Sequence, residues 1–470
     1  MSAGAPAAGL SWLGILRLGL VQTALGAIVV LTTSTMNRVM VVELALPAML
    51  PGALVAFHYA IQILRPRMGH GSDVGGRRTP WIVGGMAVLG AGAVLAALAI
   101  AVMEASLAAG IALAVVGFAL IGLGVGAAGT TLLVLLAKKV APERRAAAAT
   151  IVWIMMIAGF AVTAGVAGQI LDPFSAGRLV AVTAAVSIAA LALTVVAVRG
   201  VERRVATVGA PAPASEAADG AVAQHGSRPA FREALAATWA DPKARHFTVF
   251  VFVSMLAYSA QDLILEPFAG LVFGMTPGES TALAGLQHGG VVLGMLTVAV
   301  ACSAFGRRTR AGALQAWTIG GCVASAIALG ALTFGGLVGP GFPLRPVVFA
   351  LGVANGAFAV AAIGSMMALA GADGGSREGV RMGLWGAAQA IAFGLGGFLG
   401  TVAVDAMRAV FGPPAISYGT VFAAEGLMFL VAAGLALRVA RTGPSPFPRR
   451  PAAPAVPSRP EPLAAGFAGD

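Results

Sequence analysis

The chain has 470 residues, of which 58% are hydrophobic and only 10% charged, with a net charge of +11. An ordinary soluble domain carries about 25% charged residues, so these figures exclude one. The basic excess would suit nucleic acid only if it gathered on one polar domain, and it does not.

Met1 opens a short Ala/Gly/Pro stretch without the basic start of a cleavable signal peptide. The first apolar segment is therefore expected to serve as its own insertion signal. About 20 apolar residues cross a bilayer. Segments of that kind are predicted at 14–36, 43–64, 81–102, 108–136, 147–170 and 179–198, then at 246–272, 281–304, 312–336, 346–370, 381–403 and 417–438. Lipid forces backbone hydrogen bonds to close within each segment. The predicted fold class is an all-α membrane protein with twelve transmembrane helices in two six-helix halves: an N-terminal half (1–198), a linker (199–245), a C-terminal half (246–440) and a Pro/Ala-rich tail (441–470).

In chain order, Arg38 and Glu43 flank the first turn after span one, where they can pair. His58, in "VAFHYAIQ", sits late in span two, and an imidazole there is either a metal ligand or a side chain hydrogen-bonded to a neighbouring helix. The connection that follows reads "MGHGSDVGGRRTP" (68–80). Its glycines allow a tight turn, Asp73 can face a helix N-terminus or pair with an arginine, and Arg77 and Arg78 favour an anionic membrane surface. The glycine spacings of "GLGVG" (122–126) and "GLGGFLG" (394–400) point to close helix packing.

With the termini and every even-numbered connection on one face, 26 of the 30 Lys and Arg lie there. The exceptions are Arg38, Arg178, Arg345 and Arg408. The positive-inside rule then places both termini in the cytoplasm. The Ala/Pro/Gly/Ser centre of the linker resembles a flexible tether, and "FREALAATWADP" (231–242) has the character of a surface helix.

Span seven carries "SAQDLILEP", with Gln261, Asp262 and Glu266. Asp262 and Glu266 are four residues apart on one helical face. Intramembrane ionisable groups usually mark function, so the set is a proton-coupling or ligand-contact candidate. The plainer reading is a solvated pair near the outer surface. Pro267 is expected to kink or end that helix. His288 lies in span eight, and Glu425 stands alone in span twelve without a partner that the sequence names. Cys302 and Cys322 imply no disulfide framework. No zinc spacing, nucleophile elbow or P-loop is present, and no enzyme is expected.

"GRRT" at 76–79 recurs at 306–309, an offset of 230 residues, between the second and third spans of each half. Transporters are often built from duplicated halves. Gly69, Asp73, Gly76, Arg77 and Arg78 follow G-x-x-x-D-x-x-G-R-R, which resembles the signature loop of the major facilitator superfamily. That resemblance implies a cytoplasmic latch between the halves; the plainer alternative is a basic loop that only sets topology. The second copy has Ala299 and Ser303 in place of Gly69 and Asp73, which puts a second latch in doubt.

Longer strings are more specific: "LGLVQTALGAIVVLTTSTMNRVMVVELALPAMLPGALVAFHYAIQILRPRMGHGSDVGGRRTPWIVGGM" (18–86) and "YSAQDLILEPFAGLVFGMTPGESTALAGLQHGGVVLGM" (258–295). They resemble the PucC/LhaA family, the light-harvesting assembly branch of that superfamily in photosynthetic bacteria, with LhaA the closer side. The resemblance implies a bacterial inner (intracytoplasmic) membrane protein that assembles antenna complexes. It implies bacteriochlorophyll as a bound pigment. It also implies antenna polypeptides, bacteriochlorophyll synthase and the membrane insertion machinery as partners. His58, Gln261, Asp262, Glu266 and His288 are the residues expected to meet pigment or substrate. A proton-coupled secondary transporter of a small or amphipathic solute and a scaffold for antenna helices stay open as alternatives, because a fold does not fix a function.

Overall fold

In hydrocarbon only a segment's own backbone can satisfy its amides, so each apolar stretch becomes a helix. The computed structural model describes residues 10–65, 68, 77–141, 144–202, 239–304, 307–370 and 378–441. Its helices are α1 (Trp12–Val42), α2 (Met49–Leu64), α3 (Thr79–Ala105), α4 (Leu107–Lys139), α5 (Arg145–Ile170) and α6 (Ala176–Val198), then α7 (Pro242–Phe273), α8 (Pro277–Ala304), α9 (Arg307–Val338), α10 (Leu344–Ala370), α11 (Glu378–Phe411) and α12 (Pro414–Arg441). Among the described residues, eleven helices are long and apolar enough to cross a membrane, and the shorter α2 occupies the place of the predicted second span. Gly69, Asp73 and Gly76 of the signature loop lie outside the described residues, as do 203–238 of the linker and the chain after Arg441.

Several ends differ from expectation. α1 runs on to Val42, so Arg38 is inside the helix and not in a turn. α2 starts at Met49 rather than 43. Pro47 favours an extended Leu46, and Ala45 takes φ 50, so the chain turns there first. Other ends follow local chemistry. Ser11 and Ser175 accept from Gly14 N at 3.2 Å and Arg178 N at 3.1 Å, capping α1 and α6. Gly274 and Gly412, at φ 68 and 81, close α7 and α11 in the left-handed conformation glycine tolerates.

The packing repeats. α1 packs on α5 and α6, α2 on α4, and α3 on α4 and α6; α7 packs on α11 and α12, α8 on α10, and α9 on α10 and α12. The halves meet along two equivalent seams, α5 with α8 and α2 with α11, and also where the later part of α1 packs on α7 and α8. Between helices in lipid, close packing replaces the hydrophobic gain, and glycine makes it possible. A Cβ on Gly124 would meet Leu89 N at 2.5 Å, one on Gly396 Leu256 O at 2.6 Å, and one on Gly356 Val291 O at 2.0 Å.

At the end opposite the basic connections, the halves tie to each other. Asp405 of α11 accepts from Ala48 N at 3.0 Å and Met49 N at 2.7 Å, capping α2. Asp172, after α5, accepts from Gly278 N at 3.1 Å and from the Thr276 hydroxyl, capping α8. Ala48 and Gly278 are 230 residues apart, the offset of the repeat. Each tie places a carboxylate on a helix N-terminus, where amides lack partners and the dipole is positive.

At the basic end, Glu202 clasps the start of α3, accepting from Arg78 N at 2.6 Å and Thr79 N at 3.4 Å. Burial alone would raise its pKa; the Arg78 and Thr79 amides, the Thr79 hydroxyl and the Arg78 charge outweigh burial and lower it. A depressed carboxylate contributes fully above its ordinary value, about 4.3, and loses that contribution as pH falls through the lowered one. Glu202→Gln is expected to speed hydrogen exchange at the Arg78 and Thr79 amides at neutral pH. The native chain should do the same only in acid below the ordinary carboxylate range, and equal exchange in both at pH 7 would remove the clasp.

Candidate functional site

The intramembrane polar residues cluster where α1, α7 and α8 meet. α1 is interrupted by a π turn at Leu31–Thr35, in which Thr32 and Thr33 donate to Val29 O at 2.7 and 3.1 Å. Such turns recur at functional sites, and this one re-aims the residues after it. Asn37 Nδ2 then donates to Leu263 O on α7 at 2.6 Å. That carbonyl needs a donor because Pro267, four residues on, has no N–H. Pro267 was expected to kink or end the helix, yet α7 continues through it to Phe273. The freed carbonyl finds its partner on the other half of the protein.

Arg38, 2% exposed, donates to the Glu43 carboxylate and to Met275 O at 2.6 Å, so the expected pair forms and also joins the halves. Thr35 and Thr281 share a hydroxyl contact at 3.1 Å across the same interface.

Glu266 is 2% exposed, and neither oxygen has a hydrogen-bond partner. It lies within range of Arg38, Ser280 and Thr281. The reading of a solvated surface pair therefore does not describe it. Asp262 is half-buried and lies within range of Tyr59, Tyr258 and Glu425. The two carboxyls share a helix face but have different neighbours. Gln261 is fully buried with both amide atoms unpartnered, and Glu425 is buried with both oxygens unpartnered. Unpartnered buried polar groups are costly, so these atoms are available to protons, water or a ligand's polar groups.

His58 and His288 are buried, with Nδ1 against Val55 O at 2.7 Å and Ala284 O at 2.8 Å. The described residues thus place Gln261, Asp262 and Glu266 on α7, His58 on α2 and His288 on α8. Asp262 lies within range of Tyr59, the chain neighbour of His58. Arg77 is exposed and Arg78 half-buried at the start of α3.

Sequence reasoning did not single out Asn37, Tyr59, Tyr258, Asp172 or Asp405. Asn37 could have been found by asking which side chain satisfies the carbonyl that Pro267 frees. The aspartates could have been found by applying the 230-residue offset to helix starts.

The profile of the family described as PUCC protein matches residues 35–443. The Rhodobacter capsulatus protein named "Bacteriochlorophyll synthase 44.5 kDa chain" is 53% identical over 430 residues, 92% of this chain and 96% of its own length. "Protein PucC" of Rhodobacter capsulatus is 29% identical over 447 residues, 91% of this chain and 92% of its own. Among solved structures, a bacterial homologue of the human lysosomal transporter Spinster, inward-facing and unoccupied, aligns with TM-score 0.65 at 15% identity, covering 91% of this chain and 96% of that one. The D-xylose–proton symporter gives 0.63 at 15%, covering 92% and 98%. At such identities the likeness shows the fold alone, that of the major facilitator transporters. The match of residues 35–443 to one family profile, carried on that fold, makes this chain a member of the PUCC protein family.

Proposed function

We propose that the protein is a membrane assembly factor for bacterial light-harvesting antenna complexes that binds or delivers bacteriochlorophyll to antenna polypeptides. The observation that carries this reading is the family match along 35–443, which spans both halves. Relatives named for bacteriochlorophyll synthesis and as PucC support a photosynthetic role. In this reading the termini face the cytoplasm, since the basic connections share one face, and the 69–78 loop is the latch there. Antenna polypeptides, bacteriochlorophyll synthase and the insertion machinery are its partners, and the chain is not itself the catalyst.

The donor set fits the pigment. A magnesium already held by the nitrogens of a macrocycle needs one further ligand, and a neutral imidazole supplies it. His58 and His288 are the residues that would hold it, with Gln261, Asp262 and Glu266 meeting polar groups of pigment or substrate. The bound pigment would supply light absorption and the metal centre; the protein would supply orientation and shelter from water.

A second reading, a proton-coupled transporter of a small or amphipathic solute, is favoured by the unpartnered carboxyls of Glu266 and Glu425 on a transporter fold. A strain lacking the gene separates the possibilities. The assembly role requires that antenna absorption fall several-fold while bacteriochlorophyll is still made. Loss of bacteriochlorophyll itself would shift the role to synthesis. Normal antenna levels would overturn the proposal.

A further inference from the structure

Arg38 stands between two carboxyl groups with unlike surroundings. Glu43, at the end of the same helix, is 38% exposed and already accepts from Nη1 of the guanidinium. Glu266 of α7 is 2% exposed, and among the described residues neither of its oxygens has a hydrogen-bond partner. One group is wet and paired; the other is dry and unpaired.

The guanidinium lies against the α7 backbone one turn beyond Glu266. A Cβ on Gly270 would meet Nη2 at 3.0 Å and Nε at 3.3 Å. Residues 266 and 270 are four apart and share a helical face. Nη2 donates to Met275 O at 2.6 Å, whereas Nε is buried without an acceptor. An unpartnered donor and an unpartnered carboxyl thus lie along one stretch of one helix.

The groups around Glu266 are otherwise engaged. On α8, Ser280 donates to Pro277 O at 3.2 Å, and Thr281 shares its hydroxyl contact with Thr35 at 3.1 Å. Glu279 accepts from Thr276 N at 3.0 Å, and His288 bonds Ala284 O. Asp405 and Arg408 of α11 act on Tyr418. Asp262, one turn earlier on α7, acts on Tyr59, Tyr258 and Glu425 of α12. Arg38 of α1 is the charge that reaches Glu266.

A buried carboxyl without a hydrogen bond is tolerable as a neutral acid and costly as an anion. Once its proton leaves, the anion needs a counter-charge, and Arg38 is in place to supply one. Glu43 can release the guanidinium because its own charge can return to water.

We infer that Glu266 is a proton-binding site, and that Arg38 passes from Glu43 to Glu266 when the proton leaves. The inference goes beyond both readings above and holds for either cargo. In the step the Glu266 O–H bond breaks and the proton goes to water. Hydrogen bonds from Arg38 move from the Glu43 carboxylate to the Glu266 carboxylate, and Glu43 becomes solvated. Arg38 keeps its charge, and no electron is transferred. The same guanidinium holds Met275 O, so the exchange loosens a tie between the halves at the end opposite the basic connections. The tie is closed while Glu266 holds its proton and is released as rising pH removes it.

The test uses the full-length chain in lipid nanodiscs, with infrared difference spectra recorded stepwise from acid to alkaline buffer. The protonated-carboxyl C=O band is read. The native chain should lose a component of that band that Glu266→Gln lacks throughout. In Glu43→Gln, Arg38 has lost its wet partner and is left to Glu266, so the component should vanish at a pH lower by about 1–3 units. Glu43→Asp should return it towards the native pH. Gly270→Ala pushes the guanidinium off α7 and should move the loss to higher pH. Thermal midpoints identify the variants that fold, and if one of these two does not, the other decides. A native chain that loses no such component overturns the inference, as does a folded Glu266→Gln that keeps the whole native band. A folded Glu43→Gln or Gly270→Ala that loses the component at the native pH, or shifts it the opposite way, overturns it too. Antenna levels in the strain lacking the gene are read separately, so the assembly role stands or falls on its own test.

Discussion

Replacing Gly356 with alanine lowers the stability of the purified protein by about 1–3 kcal/mol, the usual cost of overpacking. Gly356→Leu should leave little folded material. The cause is local. The α8–α10 contact brings Val291 O to 2.0 Å from where a Cβ would stand, with Val291 C at 2.8 Å and Cα at 2.9 Å. These are backbone atoms, so no rotamer change relieves the clash and one helix must move. Gly330 is the control, because a Cβ there meets nothing within 4 Å. Thermal unfolding followed by size-exclusion chromatography reads both. If Gly330→Ala and Gly356→Ala unfold together, glycine contact does not hold α8 to α10.

Arg38→Ala is the second large effect. Arg38 is almost wholly buried and joins Glu43, Met275 O and the neighbourhood of Glu266. Removing one member of a buried pair costs about 3–5 kcal/mol when the other stays buried. Glu43 is 38% exposed and can regain water, so the low end, about 3 kcal/mol, is expected here. Arg38→Lys should recover only part of the loss, because a lysine cannot present a planar fork to a carboxylate and a carbonyl together. A chemical-denaturation midpoint unchanged in Arg38→Ala would show that the two halves do not depend on this residue at their interface.

Much of the architecture was legible in the sequence because one-dimensional signals set it. Apolar runs of bilayer length gave the helices. The GRRT repeat gave the two halves. What was not legible depends on partners far along the chain. Arg38 looked like a turn residue because its carbonyl partner, on Met275, lies 237 residues away. Pro267 looked like a helix terminator because the donor that rescues Leu263 O is Asn37, 226 residues earlier. Asp262 and Glu266 were placed on one helical face as expected, but α1, α8 and α12 decide what each one meets.

The reciprocal ties of Asp172 and Asp405 carry a consequence for chain economy. An isolated fragment ending at residue 198 would keep Asp172 with no helix to receive it, and its own α2 would begin bare, since Asp405 lies in the missing part. The complementary fragment would lose the Asp172 contacts to Gly278 N and the Thr276 hydroxyl, leaving α8 only the cap that Thr276 and Glu279 form between themselves. Neither piece is therefore a self-sufficient bundle: each was shaped around an acid that its sibling lends.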